Sequence, residues 1–229
     1  MSNDPKNDQK KAQNSDPNSD HHVDKDTPSE ASESEGNPVK EMFLLAALYM
    51  PMGFFLWFFA ASLLMLPARI VSQFLLTTLH GDVFQRIFQT DFYFEIHTNI
   101  LMPNPDGGED LLLTWDVNPM LYAWGMALLF GLIMATPLKA GQRLIQMLIG
   151  FSVITVVTIW GVYWETWRDL AFLFGPQARA ALDTTALTPT MIALFYQLGY
   201  LMLPAVVPIA TWILMNRRFI ETKVVRYKL

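Results

Sequence analysis

The chain has 229 residues, of which 52% are hydrophobic and only 16% charged, with a formal net charge of −5 and no cysteine. Residues 1–41 hold ten acids and five lysines, so the whole formal charge lies there and the remaining residues balance at eleven acids and eleven bases. A neutral, very apolar body disfavours a soluble enzyme and a nucleic-acid binder, which needs a basic face. The missing cysteines exclude disulfides, thiolate metal ligation and a thiolate nucleophile.

Residues 1–41 are rich in Asn, Asp, Ser, Pro, Lys and Glu. They bury too little to offset ordering entropy and are expected to form a disordered acidic cytoplasmic tail. His21 and His22 within it read as solvated filler and not as metal ligands. Residues 42–66 carry no charge and are long enough to span a bilayer core, even with Pro51 inside. The run is too long, and its flank too acidic, for a cleaved leader, so it is read as an uncleaved first span.

Residues 67–118 are expected to form an external loop. Ile70, Phe74, Leu75, Val83, Phe84, Ile87 and Phe88 follow a helical stripe, predicting an interfacial amphipathic helix over 67–88 with a break at His80–Gly81. From 91 to 100 the pattern changes to alternation, with Phe92, Phe94, Ile96, Thr98 and Ile100 on one face and Asp91, Tyr93, Glu95, His97 and Asn99 on the other. Turn residues 103–108 and a returning strand at 111–117 complete a small β-hairpin, which is marginal alone and must pack on something.

Three further uncharged stretches follow: a second span at 119–136, a third at 144–164 and a fourth at 190–215, the last containing Pro204 and Pro208. The link 137–143 carries Lys139 and Arg143 without an acid, and the tail 216–229 is basic. The loops 67–118 and 165–189 are mostly acidic. The positive-inside rule therefore places both termini in the cytoplasm and both longer loops outside. The second outer loop, 165–189, reads as another amphipathic helix. The expected fold is an α-helical integral membrane protein: four transmembrane helices with a small external cap of hairpin and amphipathic helix.

Chemistry-bearing motifs are sparse. Asp91, Glu95 and His97 share one side of a strand and Asp116 on the returning strand can join them, which offers a metal or acid–base set. The plainer reading is the solvent face of a half-buried hairpin, so no catalytic residue, metal or cofactor is assigned. Ser152, Thr155 and Thr158, about a turn apart, fit helix packing. Trp160, Trp164 and Trp167 lie on one helix face as an interfacial belt or a partner-docking surface. Glu165, Arg168 and Asp169 beside them read as a local ion pair of little energetic value.

Two segments carry a resemblance. One is Val117-Asn118-Pro119-Met120-Leu121-Tyr122-Ala123-Trp124-Gly125. The other is Tyr196-Gln197-Leu198-Gly199-Tyr200-Leu201-Met202-Leu203-Pro204, continuing through Pro208 and Trp212 to Asn216-Arg217-Arg218-Phe219. With the order of spans, these resemble the exosortase H-associated membrane proteins. The resemblance covers roughly residues 42–220 and implies a bacterial inner-membrane setting. It also implies an exosortase-like membrane partner and a link to sorting of proteins with PEP-CTERM-type signals. Exosortases resemble cysteine-nucleophile enzymes, so a chain without cysteine is not the sortase. The resemblance implies a non-catalytic accessory protein whose partners are the lipid bilayer and a second membrane protein, not nucleic acid. A membrane enzyme or metal-binding protein built on Glu95, His97 and Asp116, and a stand-alone sensor or transporter, remain as alternatives.

Overall fold

A computed structural model describes residues 38–104 and 107–221; residues 1–37 of the expected acidic tail, with His21 and His22, and the end of the basic tail lie outside them. Residues 38–41, expected as tail, instead open the first helix. The first apolar run forms α1 (Pro38–Phe59) and continues past a bend at Ala60, where ψ is 4°, into α2 (Ala61–Leu79). The expected 42–66 span is thus divided. The helical ladder persists across the bend, with Ala60 N–H donating to Leu56 O at 3.0 Å and Leu64 N–H to Ala60 O at 2.9 Å.

Three antiparallel strands follow, β1 (Phe84–Thr90), β2 (Tyr93–Met102) and β3 (Leu111–Val117), in spatial order β1-β2-β3. The alternation at 91–100 produces the expected inner face, with Phe94, Ile96 and Thr98 buried. Residues 84–88, however, expected as the end of a helix, belong to strand β1. A β-bulge between Phe84 and Arg86 inserts one residue into the ladder. It sets the buried pair Phe84 and Ile87 three residues apart, a spacing that imitates a helical stripe. The β1–β2 hairpin closes through Asp91, whose φ of 55° puts a non-glycine residue in the left-handed region.

The chain then enters α3 (Met120–Ala123) and α4 (Gly125–Ala135), followed by α5 (Ala140–Phe172), a 33-residue helix. α5 runs without interruption past residue 164, where the third span was expected to end, and takes up part of the expected outer loop. Short helix α6 (Gly175–Arg179) and a 3₁₀ turn (Ala180–Thr184) lead to α7 (Pro189–Gln197). A π turn at Leu198–Met202 joins α7 to α8 (Leu203–Met215), and α9 (Arg217–Phe219) closes the described chain.

Helices over Lys40–Phe59, Ala61–Leu79, Ala140–Phe172 and Pro189–Met215 are long and apolar enough to cross a membrane, whereas Met120–Ala135 is apolar but shorter. α1 packs on α4 through glycine contacts: a Cβ on Gly53 would lie 2.9 Å from Ala127 O, and one on Gly131 3.2 Å from Met50 Cα.

The buried residues form two cores. One gathers α2 (Met65, Ala68, Leu76), the sheet (Phe84, Ile87, Phe94, Ile96, Val117) and the last turns of α5 (Val162, Trp167, Leu170). The other joins Met42 and Ala46 of α1, Leu129 and Ile133 of α4, Ile154 of α5 and Trp212 of α8. α2 lies alongside β1. Its Arg69 donates to Ile87 O at 3.3 Å, its Gln73 accepts from Ile87 N–H at 3.4 Å, and Gln89 reaches Ser62 O at 2.8 Å. Leu63, Leu66, Ile70 and Phe74 form an exposed apolar stripe on α2.

His80 closes α2, with its Nε2 3.0 Å from the Tyr163 hydroxyl and its ring against that of Trp167 at 4.7 Å. Burial lowers its pKa, and Asp82 opposes this only in part. The neutral ring therefore belongs to the folded state. Its contribution is present above an unfolded-state pKa of about 6.5 and is lost as pH falls through the lower folded value. Thermal unfolding in detergent between pH 7.5 and 5 should show a fall in stability that the His80→Gln variant lacks.

Candidate functional site: a buried charged cluster between sheet and helices

Asn118 and Pro119 set the geometry at the start of the site. Asn118 Oδ1 accepts from Met120 N–H at 3.0 Å, and Pro119, with φ −65°, opens α3 in a helical conformation. The single turn of α3 aims Tyr122 at α5, where Gly161 leaves the space: a Cβ there would lie 2.2 Å from the tyrosine ring. One turn further along α5, the Tyr122 hydroxyl donates to Glu165 Oε2 at 2.8 Å.

Glu165 Oε1 accepts from Arg168 Nη2 at 3.1 Å, and Arg168 Nε lies 2.9 Å from Asp169 Oδ1. The guanidinium also sits over the ring of Tyr196 on α7, 4.5 Å from its centroid. Tyr122 is fully buried, Glu165 is 7% and Asp169 4% exposed. Two carboxyls thus share one guanidinium in a largely closed environment, where charges are costly unless paired and hydrogen-bonded. The cluster joins β3's exit, α3, α5 and α7. Such a set can clamp four segments together or hold a proton among its carboxyls.

Aromatic packing continues the junction. Trp160 Nε1 donates to Phe195 O at 3.2 Å, and Trp164 lies 4.7 Å from the Phe195 ring. Trp167, fully buried, meets Phe84 edge-on at 5.2 Å. The face shared by Trp160, Trp164 and Trp167 therefore turns into the chain. Trp164 and Trp167 present almost no surface to lipid or to a partner, because the sheet and α7 cover them.

The motif residues meet one another. A Cβ on Gly125 would lie 2.5 Å from Pro208 Cγ and 2.7 Å from Pro204 O, so α4 and α8 approach through that glycine. Gly199 lies in the π turn, where a Cβ would meet Trp160 at 2.9 Å, and Tyr196 stacks on the exposed Tyr200 at 5.8 Å. At the opposite end Asn216 and Gln146 exchange amide hydrogen bonds of 2.9 and 3.1 Å, and Asn216 also donates to Trp212 O. Arg217 pairs with Glu221 at 2.8 Å in an exposed setting, and Arg218 is exposed beside it. Asn216→Ala should destabilise the chain by about 1–3 kcal/mol, because the buried Gln146 amide loses both partners; denaturant titration in detergent measures it.

Other sequence candidates are placed differently. Glu95 and His97 touch at 2.9 Å, and Asp116 lies opposite Glu95 in the ladder, whereas Asp91 sits in the hairpin turn. Among the described residues no group of three or more His, Asp or Glu is close enough to hold a metal. The hydroxyls of Ser152, Thr155 and Thr158 donate to carbonyls four residues back on α5, not to another helix. The trio Glu165, Arg168 and Asp169, expected as a local ion pair of little energetic value, is instead largely buried and joined by Tyr122 and Tyr196, and that burial had a signal in the sequence. Thr158, Gly161, Glu165 and Asp169 recur at three- and four-residue spacing and so share one face of a helix.

No curated protein and no solved structure matches the chain. The family model for exosortase H-associated membrane proteins matches residues 36–219 and takes in both motif segments and every residue of the cluster. On that match, the chain belongs to the exosortase H-associated membrane protein family.

Proposed function

We propose that the chain is a non-catalytic accessory subunit of an exosortase-type sorting system. It would pack against the enzyme in the bacterial inner membrane and offer its sheet to the outer face. In this reading α1, α3–α4, α5 and α7–α8 cross the bilayer with both termini in the cytoplasm. α2 lies flat in the outer interface, its exposed stripe of Leu63, Leu66, Ile70 and Phe74 in lipid and its polar side under the sheet. Met120–Ala135 has 16 residues, about 24 Å of helix, and so crosses with little tilt. A 33-residue α5 is about 50 Å long, which carries its last turns beyond the hydrocarbon and up to the sheet.

The observation that carries this reading is how the cluster is used. Tyr122, Glu165, Arg168, Asp169 and Tyr196 engage one another between segments rather than line an open cleft, which is the arrangement of a scaffold. The absence of cysteine agrees, since the chain cannot supply the thiol that exosortase chemistry resembles. The outer sheet is the surface suited to meeting proteins that carry PEP-CTERM-type signals.

Affinity purification of the full chain in mild detergent, from cells that also make exosortase H, tests the proposal. The enzyme should be recovered with the chain, and processing of sorted proteins should fall when the chain is deleted. Recovery of the chain alone, with processing unchanged by its deletion, overturns it. His97→Ala with Glu95→Ala should leave processing intact, whereas an enzyme using those groups would lose it.

A further inference from the structure

The two edges of the sheet are treated differently. β1's outer edge is closed by α2: Ile87 gives its N–H to Gln73 and receives Arg69 on its carbonyl. β3 forms the opposite edge. Among the described residues its backbone is recorded outside the ladder only where Leu113 O accepts from Thr98 Oγ1, at 2.8 Å and from the β2 side.

The ladder's phase says which groups are free. Residues in an antiparallel strand turn N–H and C=O alternately to one neighbour and the other. Ile87 turns both groups away from β2, so its opposite residue, Ile96, turns both toward β3, where it faces Trp115. Trp115 therefore pairs inward, and Thr114 and Asp116 present their backbone outward. An open strand edge is a template for another chain, and soluble folds usually cover or interrupt it.

The side chains around β3 give the incoming strand its chemistry. Leu111 and Leu112 are 55% and 50% exposed, and Leu101 beside them is 56% exposed. Glu109, Asp110 and Asp116 are exposed, and no lysine or arginine lies on β3. Two copies of this edge would set acid against acid, and anionic lipid headgroups would be repelled in the same way. A basic extended segment is complementary in both backbone and charge.

We infer that β3 receives a fourth strand: an extended segment of a partner polypeptide carrying alternating apolar and basic side chains, hydrogen-bonded to the backbone of Thr114 and Asp116. This rests on the accessory reading above and names the contact through which the sheet would meet another protein. Recognition of this kind takes affinity from the main chain and selectivity from the side chains.

The test uses the full chain in detergent micelles and a fluorescent peptide of about eight residues, the length of a strand, with alternating valine and arginine. An otherwise identical valine–glutamate peptide is the control. Thr114→Pro removes one outward N–H, keeps the charge of the edge and is tolerated where a strand does not donate to its neighbour. An unchanged unfolding midpoint verifies that the sheet is intact. The valine–arginine peptide should bind, the valine–glutamate peptide should not, and Thr114→Pro should weaken binding about tenfold or more through the lost backbone bond. Asp116→Asn, which keeps the backbone, should weaken it less and flatten its salt dependence.

Equal binding to Thr114→Pro, equal binding of both peptides, or loss of the open edge to a dimer of this chain through β3 overturns the inference. Binding only when the chain sits in anionic vesicles, insensitive to Thr114→Pro, assigns the surface to lipid and overturns it as well. Co-purification with exosortase is scored separately. A Thr114→Pro chain that still recovers the enzyme and still binds peptide sinks the strand-addition site and leaves the accessory reading standing.

Discussion

Arg168→Ala should be among the most damaging single substitutions in the chain. It leaves Glu165 and Asp169 buried side by side without their shared cation and strips the ring of Tyr196 of its guanidinium. Removing one member of a buried ion pair costs about 3–5 kcal/mol. Arg168 keeps 26% of its side chain exposed, so the lower end of that range is expected. Denaturant unfolding in detergent, followed by tryptophan fluorescence, reads the loss through the adjoining Trp160, Trp164 and Trp167. Two companions sharpen the assignment. The variant's deficit should shrink as pH is lowered, because protonating the carboxyls removes the uncompensated charge. Arg168→Lys should rescue little, since an ammonium cannot bridge both carboxylates while stacking on Tyr196. A loss that is flat with pH and repaired by lysine would show the cluster to be packing alone.

Gly161→Ala is the second large effect expected. The added methyl would lie 2.2 Å from two carbons of the Tyr122 ring and 2.5 Å from a third. The ring has no retreat, being fully buried with its hydroxyl held by Glu165 at 2.8 Å. Either α3 lifts from α5 or the hydroxyl releases the carboxylate, and the cost should reach or exceed the upper part of the about 1–3 kcal/mol of ordinary overpacking. Gly141→Ala provides the comparison within the same helix. No atom lies within 4 Å of the Cβ it would add, so better helix propensity should stabilise the chain by up to about 1 kcal/mol. Shortening the opposing side chain, Tyr122→Leu, should make the Gly161→Ala penalty smaller, a coupling that a double-mutant cycle measures.

Much of this fold was legible in the residues. Uncharged runs announced the long helices, alternation from Phe94 to Thr98 announced the sheet's inner face, and the turn residues near 103–108 announced the β2–β3 connection. Besides the bend at Ala60, residue pattern misled at the bulge and at the end of α5, for identifiable reasons. The bulge after Phe84 shifted a strand's phase by one residue, and the shifted pattern matched a helix. At the end of α5 a change from apolar to charged residues was taken as the end of an element, although the helix simply passes from one surrounding to another. Residue pattern reports environment as much as conformation.

The cluster was harder to read for a related reason. Glu165, Arg168 and Asp169 look like any exposed trio in a loop until Tyr122 and Tyr196, 43 residues before and 31 after Glu165, are known to cover them. Burial of that kind depends on contacts between distant segments, which local sequence does not encode. The motif residues were visible as a pattern, but their roles were not. Gly125 admits Pro204 and Pro208, and Asn118 caps the turn that aims Tyr122; both roles emerge only from the packing.

The unbroken length of α5 has a mechanical consequence. Gln146 near its start and Glu165 near its end lie 19 residues apart, about 28 Å along one stiff rod. Any push that tilts or slides the rod at the Asn216 end must displace the guanidinium knot at the other, and the strands resting on it. A neighbour gripping either extremity would therefore be felt at both, without an intervening hinge to absorb the stroke.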